Sequence, residues 1–167
     1  MKELLFQTFR HEETERAPWV PFAGVHAGSL KGYDAIEVLT DADKAFESLM
    51  EVNRLYRPDG QPVIFDLQIE AECLGCDLTW AKDCPPSVSG HPLDGSDEEP
   101  PVTPCNCKIP TKESGRIPFV LEVMRRMKEA VGDTTALYGL ICGPFTLASH
   151  LRGNNLFTDM FDFEEEV

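Results

Sequence analysis

Two kinds of apolar pattern alternate along this chain, and their alternation predicts an α/β fold. Residues 2–15 read as a helix with Leu5, Phe6 and Phe9 on one face. Arg16-Ala17-Pro18 ends it, because proline pushes the residue before it out of helical backbone. Trp19-Val20-Pro21-Phe22-Ala23-Gly24 is a short apolar run closed by glycine and predicts a buried strand. A helical stretch follows, in which Thr40 is placed to cap residues 41–56. Asp41 and Asp43 suit the positive end of that helix, and Ala45, Phe46, Leu49, Val52 and Tyr56 form its stripe.

Arg57-Pro58-Asp59-Gly60 has the composition of a turn. Pro62-Val63-Ile64-Phe65-Asp66 predicts a second strand, apolar until a carboxylate at its C-terminal end. Leu67 to Leu74 predicts a helix closed by Gly75, and Asp77 to Trp80 a short extra strand. Residues 82–115 are irregular, with seven prolines and the acidic run Asp97-Glu98-Glu99, and read as a long excursion inside one domain rather than a boundary. Pro118 suits the first turn of a helix over 117–131, whose inward positions are Phe119, Val120, Val123, Met124, Met127 and Val131. Ala136 to Cys142 predicts a third strand, and Gly143-Pro144 leads into a helix over 145–151. Near-continuous apolar strands separated by helices imply a parallel sheet.

Charge narrows the function. Fifteen Lys and Arg against 29 Asp and Glu leave −14 over 167 residues. Such a chain repels phosphate backbones and anionic membranes, so neither nucleic acid nor membrane is an expected partner. The start, Met1-Lys2-Glu3-Leu4-Leu5-Phe6-Gln7, lacks the apolar run of a signal peptide, and no stretch approaches the ~18 apolar residues of a membrane span. A cytoplasmic location is the expectation.

Five stretches carry a resemblance. They are Val20-Pro21-Phe22-Ala23-Gly24-Val25-His26-Ala27; Ile64-Phe65-Asp66-Leu67 with Glu70-Ala71-Glu72-Cys73-Leu74-Gly75-Cys76; Pro85-Pro86-Ser87-Val88; Gly90-His91-Pro92-Leu93; and Gly143-Pro144-Phe145-Thr146-Leu147-Ala148-Ser149. In this order and spacing, over nearly the whole chain, they resemble the uroporphyrinogen decarboxylase family, which includes cobamide-dependent methyltransferases. The resemblance implies a (β/α)8 barrel, of which this chain would be the N-terminal part, about three βα units. Barrel sites form at the C-terminal ends of strands. There His26 follows the first strand, Asp66 ends the second, and His150 lies on the helix after the third.

By resemblance, Asp66 matches the aspartate that takes the pyrrole N–H groups in the decarboxylases. Asp66 and His150 are the candidate catalytic residues, and His26, Gly24 and Phe145 the candidate substrate- or cofactor-binding residues. Two departures bear on activity. Pro21 and Val25 stand where the decarboxylases carry two arginines that hold substrate carboxylates. His150 stands where they carry a tyrosine. The methyltransferase branch fits better: it moves a methyl group between a corrinoid (cobamide) cobalt and a thiol or related acceptor. That implies a corrinoid protein or a small-molecule thiol as partner. Its zinc ligands belong to the second half of the barrel, so no metal ligand is assigned here. The chain reads as truncated and inactive alone, completed by a second chain or prone to self-association.

Six cysteines open a competing possibility. Cys73, Cys76 and Cys84 with Cys105 and Cys107 could close a structural zinc site across the excursion. Against it, Cys73 and Cys76 fall on a helix and its Leu-Gly turn, and Cys105 and Cys107 lack a two-residue gap. Cys142 ends the third strand and reads as a small buried thiol or a pocket-lining one. Four readings remain: methyltransferase, uroporphyrinogen decarboxylase of porphyrin biosynthesis (a lyase), a non-catalytic fragment or subunit, and a zinc-stapled binding module.

Overall fold

A computed structural model describes residues 1–95 and 109–162. Cys105, Cys107, the acidic run 97–99 and the closing Phe163 to Val167 lie outside the described residues. The chain divides into two compact units. The first comprises Met1–Asp66, Trp80–Pro85 and Arg116–Leu140; the second comprises Leu67–Thr79, Pro86–Gly115 and Ile141–Val167.

The first unit opens with α1 (Lys2–Phe9), which buries Leu4 and Leu5 and leaves Phe9 exposed. The helix is shorter than the predicted 2–15. Glu12, Glu13 and Glu15 would crowd the negative end of a longer helix. Instead His11 turns left-handed (φ 58°) and the Arg10 guanidinium reaches Glu3 and Glu12. Trp19 to Ala23 takes no regular secondary structure and Gly24 begins a turn, which corrects the first strand. Pro21 removes an N–H donor from this stretch and Pro18 another just before it, and a ladder needs such donors. The Trp19 carbonyl still accepts from the N–H groups of Asp59 and Gly60.

Two short helices, α2 (His26–Ser29) and α3 (Ala35–Thr40), precede α4 (Ala42–Tyr56). Asp34 and Glu37 form a reciprocal capping box on α3. Thr40 is therefore the last residue of α3, its hydroxyl bonded to the Ile36 carbonyl. Asp41, not Thr40, caps α4 through the N–H groups of Asp43 and Lys44. The first parallel pair is β1 (Gly60–Pro62) against β4 (Ala136–Tyr138), with Gly60 opposite Ala136, and α6 (Ile117–Val131) delivers the chain to β4. Both strands are shorter than predicted. Pro62 donates nothing, and one further bond, Val63 N–H to the Tyr138 carbonyl, ends the ladder. Gly60 is closely packed: a Cβ there would lie 2.8 Å from Leu5 Cδ2, so that side chain would have to shift. The core between α4 and α6 is Ala45, Val52, Val123 and Met127, all fully buried. Beneath it Gln61 donates to the Leu49 carbonyl and accepts from Asn53, which also donates to Thr135.

The second unit holds α5 (Ile69–Cys73), β2 (Asp77–Thr79), β3 (Ser87–Gly90), α7 (Pro144–Arg152) and α8 (Asn155–Asp162). The predicted extra strand is β2, and its antiparallel partner β3 lies inside the excursion. Arg152, 6% exposed, pairs with Asp159 on α8 and donates to the carbonyls of Leu93 and Gly95. Among the described residues no helix is long and apolar enough to cross a membrane.

Candidate functional site

Asp66 lies just past the buried run Val63-Ile64, beyond the C-terminal end of β1. Its side chain has no exposed surface, and its Oδ2 accepts from Arg116 Nη1 at 2.6 Å. Arg116 is itself 10% exposed at the side chain, reaches the Leu39 carbonyl at 3.3 Å and stacks 4.8 Å above the Trp80 ring. It occupies the N-cap of α6, the helix end at which the dipole opposes a cation. The buried carboxylate and the indole face compensate for that placement. Arg116 was not among the residues expected from sequence, although a cation directly before an apolar helix is a legible anomaly.

Gly24 has φ 51°, a backbone that disfavours any side chain, and a Cβ there would sit 3.4 Å from Phe65. His26 opens α2 and is exposed; its Nε2 lies 2.7 Å from the Tyr56 hydroxyl, with the two rings stacked at 6.1 Å. Phe22 bridges two further rings, edge-on to Phe65 at 5.3 Å and to Tyr138 at 6.1 Å. The Tyr138 hydroxyl is buried and has no hydrogen-bond partner among the described residues. Burial pushes that phenol above its ordinary pKa. The structure thus brings Gly24 against Phe65, the neighbour of Asp66, and sets His26 against Tyr56.

His150 and Phe145 belong to the second unit, both on α7. Phe145 is exposed and meets Phe157 edge-on at 6.1 Å. His150 Nε2 is buried without a partner among the described residues, and burial, with His91 nearby, holds its pKa below that of an ordinary imidazole. The His150 carbonyl accepts twice, from His91 Nδ1 at 2.7 Å and from the Cys76 thiol at 3.2 Å. A carbonyl can only accept, so the proton of neutral His91 sits on Nδ1. Cys73 ends α5 and Gly75 turns with φ 99°. Cys142 is buried, its thiol pushed up by burial and by Glu70. Among the described residues no three His, Cys, Asp or Glu side chains converge where a metal ion could sit.

The profile of the uroporphyrinogen decarboxylase (URO-D) family matches residues 1–167. The chain belongs to the uroporphyrinogen decarboxylase family. Among curated relatives, it is 29% identical to the methylcobamide:CoM methyltransferase MtbA of Methanosarcina acetivorans, over 99% of this chain and 49% of that protein. It is 36% identical to a methylated-thiol–coenzyme M methyltransferase of Methanosarcina mazei, over 53% of this chain and 23% of that one. It is 26% identical to a uroporphyrinogen decarboxylase of Parasynechococcus marenigrum, over 89% of this chain and 42% of that one. A solved methyltransferase from Methanosarcina mazei superposes with a TM-score of 0.80 at 23% identity, over 98% of this chain and 48% of that one. The fold is therefore the opening part of a (β/α)8 barrel, and the chain spans about half the length of the curated relatives it matches.

Proposed function

We propose that this chain contributes to a cytoplasmic methyltransferase that moves a methyl group between a corrinoid and a thiol or related acceptor. The observation that carries the reading is the Asp66–Arg116 pair. In the decarboxylase reading, Asp66 must offer its charge to pyrrole N–H groups. Here that charge is already matched by a guanidinium 2.6 Å away, inside the protein. Pro21 and Val25, where substrate carboxylates would need cations, favour the same conclusion. A corrinoid, when bound, supplies the cobalt that carries the methyl group. The chain's own part is to hold a fixed, neutralised ion pair at Asp66 and an unprotonated imidazole at His150. His26, Gly24 and Phe145 are the proposed binding residues. A zinc ion finds no site in the described residues, and no step is assigned to one. The chain spans about half of its relatives, so the complete activity is proposed to draw on barrel elements beyond these residues.

Titration with uroporphyrinogen separates the two enzyme readings. The chain is expected to show no tight binding that depends on the substrate's carboxylates. Tight binding that weakens when those carboxylates are esterified overturns the methyltransferase reading.

A further inference from the structure

The motif Gly90-His91-Pro92-Leu93 has no part in the reaction proposed above, yet it closes a helix that carries a candidate catalytic residue. The chain leaves β3 at Gly90 and turns, with the Asp94 N–H donating back to the His91 carbonyl. A helix ends with four carbonyls that lack an intrahelical partner. On α7 they belong to Ser149, His150, Leu151 and Arg152. The Ser149 carbonyl accepts from the Gly153 N–H. The turn after β3 serves the next two. His91 Nδ1 donates to the His150 carbonyl at 2.7 Å, and the Leu93 N–H donates to the Leu151 carbonyl at 3.0 Å. The Arg152 guanidinium completes the lock by donating to the carbonyls of Leu93 and Gly95. Gly153 makes room for the imidazole: its φ is 64°, and a Cβ there would lie 2.9 Å from His91 Cδ2.

We infer that His91 is a positioning residue for His150: it caps the last turn of α7 through the His150 carbonyl and sets a second imidazole beside the first. This rests on the methyltransferase reading only in that His150 is its candidate catalytic residue. The cap fixes the backbone from which the His150 ring projects. The ring's Nε2 is buried with no partner among the described residues, so an imidazolium there would bury an N–H with nothing to accept it. A charge on the neighbouring His91 opposes a second one on His150. Other ionisable groups at this end of α7 are engaged elsewhere. Arg152 pairs with Asp159 of α8, Asp94 accepts from Asn155, and Glu70 of α5 accepts from the Cys142 N–H. The Cys76 thiol, just past α5, is turned to the His150 carbonyl.

Two variants of the full 167-residue chain, followed by nuclear magnetic resonance, test this. His91→Asn keeps an N–H donor near the place of Nδ1 and removes the second imidazole. His91→Phe keeps a ring and removes the donor. Titration of the His150 ring protons and hydrogen exchange of the last-turn amides of α7 are read in each. In His91→Asn the exchange is expected to stay within about twofold of the parent's, because the cap survives, while His150 titrates at higher pH. In His91→Phe the exchange is expected to quicken about tenfold, the worth of one hydrogen bond. An unchanged His150 titration in His91→Asn overturns the positioning role, since a merely structural His91 would leave that ring as it was. Parent-like exchange in His91→Phe overturns the cap. If His91→Phe does not fold, the His91→Asn titration decides alone. None of these results bears on the methyltransferase reading, which methyl-transfer turnover judges separately.

Discussion

Asp66 and Arg116 form a buried pair whose members depend on each other. Removing one leaves a charge without water, which typically costs ~3–5 kcal/mol, whereas replacing both with apolar residues is often close to neutral. Arg116→Met and Asp66→Leu are each expected to lower the denaturation midpoint strongly, and the double variant to recover most of the loss. Denaturant titration of the four proteins checks this; additive losses would show that the two residues act independently. Asp66 was legible in the sequence because a lone carboxylate closes an apolar strand run. Arg116 stood out only as a cation before an apolar helix, and its pairing was not legible because its partner lies 50 positions away and only the fold brings them together.

His150 gives a pH dependence whose sign follows from its burial. Its pKa is held down in the folded chain, so the unfolded chain takes up the proton first as pH falls. Stability of the second unit is therefore complete above the ordinary imidazole pKa of about 6.5 and declines below it, until the folded pKa is reached. Hydrogen exchange of the α7 amides, corrected for intrinsic rates, should quicken between neutral and mildly acid pH. The His150→Phe variant should lose most of that response. Equal acid response in both would place its origin elsewhere.

Elements with a strong helical period were the readable ones. The predicted helix at 117–131 has those bounds in the structure, and Val123, Met127 and Val131 are buried as expected. The helix at 41–56 differs by one residue and by its cap, since the Asp34–Glu37 capping box draws Thr40 into α3. Met127→Ala, in the fully buried seam between α4 and α6, should cost ~2–5 kcal/mol by leaving a cavity. Exposed Leu121→Ala on the same helix should cost much less, and comparable losses in the two would mean that the seam is not the core. Strands were read less well. Apolar runs marked the chain segments, but the length of hydrogen-bonded ladder depends on partners that composition does not show. Pro21 and Pro62 lie in those runs and withhold N–H groups, so Trp19–Gly24 forms no strand and β1 is three residues long.

At the scale of the molecule, the family and the barrel class were legible because five motifs keep their order across the chain, and the profile spanning residues 1–167 agrees. The second sheet was half-visible: the stretch from Asp77 to Trp80 was read as a short extra strand, while β3 was hidden among the prolines of the excursion. β4 has one strand partner among the described residues, and an exposed strand edge invites pairing with other chains. The isolated chain is therefore expected to self-associate despite its −14 charge. Light scattering after size exclusion reads this directly; a monomer that unfolds cooperatively would show that the edge is covered.

The most direct test of the central claim is turnover in a completed barrel. Residues 1–167 would replace the matching part of the Methanosarcina acetivorans methyltransferase, and the chimera would receive methylcobalamin with a thiol acceptor, or uroporphyrinogen. The account predicts thiol-dependent loss of the cobalt–methyl absorbance by the chimera, none by the 167-residue chain alone, and no decarboxylation. A folded chimera that releases carbon dioxide from uroporphyrinogen, or that leaves methylcobalamin intact, would contradict it.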